Sequence, residues 1–223
     1  MWPAGEDDDT NYRIPLLSPP NIAEPPPPAA PALASPARFP HTSAEQPQPR
    51  PITVPATPDA LFALLDKLGI EHSTITHPPF FTVEEGREWH DKIPGLHCKN
   101  LFIKDRKGGF WLVVMPADKR ADLAWLEKTL GAPRFSFARP EALQEVLELT
   151  PGSVTPFGLI NDRQRRTTVI LDQDILDAEW MNVHPLHNAA STTVRSADLL
   201  RFVRALGYDP IVIRLVEPAT PQR

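Results

Sequence analysis

Apolar residues in the central part of the chain recur first at helical spacing and then at strand spacing. The first stripe consists of four leucines, Leu61, Leu64, Leu65 and Leu68. Thr57 as N-cap, Pro58 at the first helical position and Gly69 as the stop predict a helix between them. The β-branched segment 70–77 follows and ends at a Pro-Pro pair, so it predicts a strand.

The same signals predict the remaining elements. Thr82 and Glu85 form a capping box, which indicates a short helix over 83–91. Two apolar runs around the Gly-containing loop 105–109 predict a hairpin with strands at 101–104 and 110–115. Further helices are predicted near 119–130, from Pro140 onward and at 197–206, and strands at 158–161, 167–171 and 211–216. Because hairpins exclude an all-parallel sheet, we expect one α/β domain with helices packed on a mixed sheet.

Proline usage divides the chain. Sixteen of the 28 prolines lie in residues 1–58. A segment this poor in periodic apolar positions cannot bury enough surface to offset its ordering entropy. Residues 1–56 are therefore predicted to be a disordered, partly polyproline-II tail, 57–217 one domain and 218–223 a short C-terminal tail.

Charge and cysteine content limit the binding partners and the cellular compartment that are expected for this chain. The formal net charge is −5, and residues 1–50 hold six acids and three bases, so −3 belongs to the tail and −2 to the domain. A nearly neutral domain can still bind RNA where its basic residues cluster. One cysteine excludes an internal disulfide, and neither a membrane-spanning run nor a targeting signal is evident. These features predict a cytoplasmic protein without a membrane partner.

Three segments carry candidate chemistry. An ammonium and a carboxamide stand side by side at Lys99 and Asn100, where a turn is expected to feed an apolar strand. The loop 150–158 contains two glycines, and its backbone donors could hold an oxyanion or a ribose. His184 could relay a proton, orient a hydroxyl or form a core hydrogen bond. In isolation, the Lys-Asn pair is more typical of a surface lysine with a turn asparagine, and the loop is more typical of a plain Gly-Pro loop. A lone histidine such as His184 is more typical of a core hydrogen bond.

Metal and thiol chemistry find little support. The histidines and the cysteine lack the paired spacing of a zinc site, so no metal and no cofactor are expected. Cys98 stands beside Lys99, which could lower the pKa of a thiol, but nothing marks a general base for it.

Together, the strings KNLFIKD (99–105), TPGSVTPFGLIND (150–162) and HPLHNAAST (184–192) resemble the freestanding alanyl-tRNA(Pro) deacylases of the YbaK-like superfamily of prolyl-tRNA editing domains. The resemblance runs from about Thr57 to Val216. It implies a mixed, partly curled central sheet surrounded by helices. The implied partner is the acceptor end of tRNA(Pro), with prolyl-tRNA synthetase as a further candidate and with no DNA.

The resemblance also implies site residues. The implied catalytic residues are Lys99, Asn100, Gly152, Ser153 and His184. The implied substrate-binding residues are Val83 and Glu84 on the short helix and Thr155, Phe157 and Gly158 in the loop, and the implied tRNA-binding residue is Arg134.

An aminoacyl ester is activated, so water attack needs orientation and oxyanion stabilisation more than a strong base. We expect Lys99 and Asn100 to hold the terminal adenosine and the ester, amides of 152–158 to face the carbonyl oxygen, and His184 to orient the ribose hydroxyl or the water. The expected activity is trans-editing of Ala-tRNA(Pro) by a double sieve. The alternatives are a deacylase for Cys-tRNA(Pro) or other small aminoacyl-tRNAs, and a non-catalytic tRNA- or synthetase-binding module.

Overall fold

The computed structural model describes residues 55–80, 83–90 and 92–218. The helices in this part of the chain are α1 Pro58–Lys67, α2 Val83–His90, α3 Leu123–Leu130, α4 Pro140–Leu147, α5 Gln173–Asp177, α6 Ser196–Ala205 and a 3₁₀-helix at Pro156–Ile160. The strands are β1 His72–Thr76, β2 Leu96–Asp105, β3 Phe110–Pro116, β4 Phe135–Phe137, β5 Thr167–Asp172, β6 Trp180–Val183, β7 Ala190–Arg195 and β8 Ile211–Ile213.

The strands form one eight-stranded mixed sheet in the order β1-β7-β6-β2-β3-β5-β8, with β4 also paired to β2. Antiparallel pairing joins β1 to β7, β7 to β6, and β2 to both β3 and β4. Parallel pairing joins β2 to β6, β3 to β5, and β5 to β8. This confirms the predicted mixed sheet surrounded by helices.

Strand β2 carries the candidate residues Lys99 and Asn100, so its neighbours in the sheet determine their surroundings. Strand β3 occupies one edge of β2 from Cys98 to Lys104. On the other edge, β6 pairs with Leu96 and His97, and β4 pairs with the far end from Ile103 to Asp105. Between these two contacts, the amide of Ala138 donates to Phe102 O, and the Asn100 side chain donates to Val154 O in the loop that follows α4.

Two apolar clusters pack on the two faces of the sheet. The larger cluster includes Phe102 together with Leu61 and Leu65 of α1. The smaller includes Ile103 and Leu126 of α3. Because successive strand residues point to opposite faces, β2 separates these two cores.

The N-terminal helix follows its predicted signals. The Thr57 hydroxyl accepts from the amide of Ala60 at 3.2 Å, and Pro58 occupies the first turn. Gly69 has a φ of 63°, a left-handed conformation that ends the helix at little cost. None of the helices in the described part of the chain is long and apolar enough to cross a membrane.

Several element predictions were wrong. The predicted strand 158–161 is the 3₁₀-helix, because the Thr155 side chain caps it and Pro156 opens it. The helix expected from 119 begins at Leu123, since Asp122 is its N-cap and accepts from the amide of Trp125 at 2.9 Å. The final strand ends at Ile213 rather than at 216.

The short elements β4, α5, β6 and β7 escaped prediction because their apolar runs are brief and lack turn signals. The proposed tail lies outside the described residues apart from Pro55 and Ala56, and so does Thr82 of the capping box. The Ala56 amide donates to Asn161 Oδ1 at 2.9 Å.

Candidate active site

A cavity of about 280 Å³ is lined by the first half of β2. Its wall is assembled from β2, α2, the loop after α4, and the strands β6 and β7. Phe80, Ile93 and Ala117 join the wall from three connecting segments, so no single stretch of sequence encloses a ligand. The volume is near the lower end for a small-molecule site, and it suits an aminoacyl group better than a whole nucleoside.

Lys99 and Asn100 both line this cavity. They lie inside β2, opposite Met115 and Val114 of β3, and not at the turn before the strand as expected. The strand begins at Leu96 because β6 and β3 pair with its first residues. Strand alternation points neighbouring side chains to opposite faces of a strand, yet both residues contribute to the cavity wall.

The ammonium of Lys99 is half-buried, and this burial lowers its pKa from the usual value. The carboxylates of Asp118, Glu217 and Glu84 partly oppose that shift. Because water is partly excluded from this ammonium, it interacts with a ligand oxygen more strongly than a fully exposed cation does.

Asn100 is oriented by a single hydrogen bond. Its Nδ2 donates to the carbonyl of Val154 at 2.9 Å and so fixes the loop after α4 against β2. Its Oδ1 is buried and has no hydrogen-bond partner among the described residues. A buried acceptor without a partner requires an explanation, and a ligand in the cavity would provide one.

Only two residues of the loop 150–158 line this cavity, Gly152 and Val154. Gly152 has a φ of 85°, a conformation that favours glycine. Ser153 is buried and does not line the cavity, and its amide donates to Thr150 O at 3.0 Å. The amides of Phe157 and Gly158 donate to Thr155, so these donors are used within the loop.

Thr155, Phe157 and Gly158 lie behind the wall rather than on it. Phe157 is fully buried and packs edge-on against Phe202 of α6, with ring centroids 5.2 Å apart. A Cβ on Gly158 would lie 2.6 Å from Leu149 Cδ1, so the glycine permits close packing of the loop on α4. These three positions support the loop, and their predicted substrate contacts stay predictions.

His184 follows β6 and lines the cavity. Its Nδ1 lies 2.9 Å from Ala190 O. A carbonyl can only accept, so Nδ1 carries the proton and Nε2 of the neutral ring has a free lone pair. Burial lowers the pKa of His184, and nearby His77 and His187 lower it further, which favours the neutral ring.

The short helix α2 contributes Gly86 and Trp89 to the cavity wall. Glu84 is exposed and acts on Lys99 only through its charge. Val83 opens α2, but its side chain is not among those described. Arg134 is exposed, lies just before β4 and is not on the cavity wall.

Sequence reasoning missed several wall residues, among them Phe80, Asn182 and Ser191. It also missed His77, which contacts Ser191 from behind the wall at 3.0 Å. Phe80 and Asn182 lie outside the three strings, whereas Ser191 lies within HPLHNAAST (184–192) but was assigned no role. Asn182 and Ser191 reach the site through the pairing of β7 with β6 and β1, which no local pattern predicts.

A thiol mechanism fits this site poorly. Cys98 lies on the wall, but burial raises its pKa to about 12, so the reactive thiolate is absent at neutral pH. No group of three or more His, Cys, Asp or Glu side chains within the described ranges could hold a metal ion.

The chain is similar to proteins of known class. The profile described as aminoacyl-tRNA editing domain matches residues 77–202. The prolyl-tRNA editing protein ProX of Acetoanaerobium sticklandii is 36% identical over 149 residues, which cover 66% of this chain and 91% of that protein. The prolyl-tRNA synthetase associated domain-containing protein 1 of Danio rerio is 36% identical over 151 residues, covering 67% and 82% respectively.

A crystal structure described as a candidate trans-editing enzyme for prolyl tRNA synthetase shares the fold. Its TM-score is 0.56 at 18% identity, and the match covers 74% of this chain and all (100%) of that one. The chain therefore belongs to the family of aminoacyl-tRNA editing domains, as its sequence predicted. It is an aminoacyl-tRNA deacylase with a prolyl-tRNA editing domain.

Proposed function

We propose that this deacylase hydrolyses the ester of Ala-tRNA(Pro) and acts in trans. One observation carries the proposal: a cavity of about 280 Å³ is lined by a half-buried lysine and by an asparagine whose buried amide oxygen has no hydrogen-bond partner among the described residues. The cation suits the carbonyl oxygen of an ester, and the acceptor suits the α-ammonium beside it. An aminoacyl ester presents both groups within a few bonds of each other.

On the cationic side, the ammonium of Lys99 faces the ester carbonyl oxygen and stabilises the oxyanion that forms when water attacks. Gly152 and Val154 are the loop residues that line the cavity, so their amides are the candidate loop donors to this oxyanion. This assignment is narrower than the whole loop expected from sequence, because the amides of Ser153, Phe157 and Gly158 donate inside the loop.

Two further wall residues provide acceptors, Asn100 Oδ1 and His184 Nε2. They can hold donors of the substrate, namely the N–H groups of the α-ammonium, the ribose hydroxyl next to the ester, or the attacking water. The adjacent hydroxyl and the ammonium activate the ester themselves, so these residues orient the reacting groups and no strong base is needed.

Selectivity follows from size. The cavity admits a methyl side chain, and Gly86 and Trp89 of α2 bound it. A proline ring is larger than a methyl group, and its secondary ammonium offers two N–H donors where an alanyl ester offers three. Cysteine and serine side chains are close enough in size that Cys-tRNA(Pro) and other small esters are alternative substrates.

The acceptor end of tRNA(Pro) is the partner in this proposal. The exposed Arg134 is a candidate contact for a tRNA phosphate outside the cavity wall. Prolyl-tRNA synthetase is a candidate partner for the whole domain, whose proposed boundaries are residues 57 and 217. A single cysteine and a substrate made during translation support a cytoplasmic setting. Neither DNA nor a membrane is a proposed partner.

The test is a panel of tRNA(Pro) charged with Ala, Cys, Ser or Pro, with each hydrolysis followed under single-turnover conditions. We expect Ala to be cleaved fastest and Pro to be spared. Lys99→Ala should lower the rate on Ala-tRNA(Pro) by about 100-fold or more, as removal of one oxyanion donor does elsewhere. Lys104→Ala is the matched control, since Lys104 is on the same strand but exposed.

A Lys99→Ala enzyme that works at the wild-type rate would remove the lysine from the mechanism. Faster cleavage of Cys or Ser esters than of Ala would replace the proposed substrate and leave the assignment of the site intact.

A further inference from the structure

His77 holds a hydroxyl on the cavity wall in one orientation. It follows β1 directly and is 6% exposed. Its Nδ1 lies 2.9 Å from Pro78 O, and its Nε2 lies 3.0 Å from Oγ of Ser191 on β7. Ser191 is also buried, at 6% exposure, yet it lines the cavity.

The proton positions follow from the partners. Pro78 O can only accept, so Nδ1 of His77 carries the proton. In the neutral ring Nε2 then has a lone pair, and the Ser191 hydroxyl must donate to it. Because the one hydroxyl proton is used, Ser191 presents only acceptor lone pairs to the cavity.

The ring is fixed from its faces as well. It stacks on Phe80 with centroids 4.3 Å apart and an interplanar angle of 16°, and it contacts Trp89 at 5.4 Å. Its backbone amide donates to Ala189 O at 3.1 Å. With rotation of the ring blocked, the hydroxyl cannot exchange its donor and acceptor roles without losing a buried hydrogen bond.

We propose that His77 is a positioning residue that makes Ser191 a third acceptor on the wall, beside Asn100 Oδ1 and His184 Nε2, so that the cavity selects acyl groups rich in hydrogen-bond donors. This inference rests on the proposed function, because an α-ammonium is the donor-rich group of an alanyl ester. Its consequence is discrimination by chemistry at constant size. A lactyl ester has nearly the same shape as an alanyl ester, but it has one O–H in place of three N–H donors.

The test compares Ala-tRNA(Pro) with lactyl-tRNA(Pro) for the wild-type enzyme and four variants: His77→Phe, His77→Gln, Ser191→Ala, and His77→Phe combined with Ser191→Ala. Phenylalanine preserves the ring stacking but removes the acceptor for the serine proton. Glutamine can supply that acceptor through Oε1.

We expect His77→Phe and Ser191→Ala each to lower kcat/KM on the alanyl ester by about 10- to 150-fold, the range for the loss of one hydrogen bond to a charged group. The rate on the lactyl ester should stay within about twofold, since only one donor is involved. His77→Gln should retain most of the alanyl activity. The double variant should be no slower than either single variant, because His77 acts through Ser191.

Equal losses on both esters, or a double variant whose loss is the product of the single losses, would overturn the inference and leave His77 a structural residue. Should His77→Phe fail to fold in a urea titration, Ser191→Ala and His77→Gln make the same comparison. A wild-type enzyme inactive on Ala-tRNA(Pro) would instead refute the proposed function. In that case, the enzyme would be compared on the aminoacyl ester that it does cleave and on the hydroxyacyl ester of the same shape. The ratio of these two rates in the variants would still decide the role of His77.

Discussion

The hydrogen bond from Asn100 to Val154 makes a prediction about the loop that carries Gly152. Replacing Asn100 by Asp keeps the shape of the side chain and keeps an oxygen at the Oδ1 position. It removes the Nδ2 donor, which lies 2.9 Å from the carbonyl of Val154. A carboxylate oxygen would then face a carbonyl oxygen at the point where the loop meets β2.

The magnitude follows from the loss of a largely buried donor. Leaving the Val154 carbonyl without its partner costs about 1–3 kcal/mol. Since about 1.4 kcal/mol corresponds to a factor of ten, the population with the loop closed on the site should fall by about 5- to 150-fold if the whole cost acts on the loop. We therefore expect Asn100→Asp to lower kcat/KM for Ala-tRNA(Pro) by one to two orders of magnitude.

The assay is single-turnover deacylation together with urea unfolding of the same preparations. Asn100→Ala is the comparison, because it removes both the donor and Oδ1 and should be at least as slow as Asn100→Asp. If Asn100→Asp has wild-type activity and stability while Asn100→Ala is inactive, then Oδ1 acts alone. The idea that Nδ2 anchors the loop would then be wrong.

Two further predictions concern pH and packing. The lowered pKa of His184 places the acid limb of the kcat/KM profile below pH 6.5, because the protonated ring loses its Nε2 acceptor. The lowered pKa of Lys99 places the alkaline limb below pH 10.5, because the neutral amine loses its charge. After subtraction of uncatalysed ester hydrolysis, an acid limb above pH 6.5 would contradict this use of His184. Gly158→Ala brings a Cβ to 2.6 Å from Leu149 Cδ1 and should lower the free energy of unfolding by about 1–3 kcal/mol in urea titrations. Leu149→Val in the same chain should restore part of that loss, and an unchanged unfolding midpoint for Gly158→Ala alone would show that the loop accommodates the methyl group.

The sequence could predict elements whose determinants are local. Thr57, Pro58 and Gly69 set the limits of α1 because a cap, a fixed φ and a left-handed turn each act within one helical turn. The strings around Lys99, Gly152 and His184 were sufficient to predict the family, because their order along the chain is a property of sequence alone.

The tertiary structure decided how the site is assembled. Asn100 and Val154 are 54 positions apart, and His77 and Ser191 are 114 apart, so strand pairing and loop packing alone bring them together. The tautomer of His184 depends on its contact with the carbonyl of Ala190, which the turn between β6 and β7 provides. Thr155, Phe157 and Gly158 belong to a loop motif, but their burial depends on the core formed by α4 and α6. Sequence therefore determined which groups are available, and long-range packing determined which of them face the cavity, because a hydrogen bond depends on distance in space and not on distance along the chain.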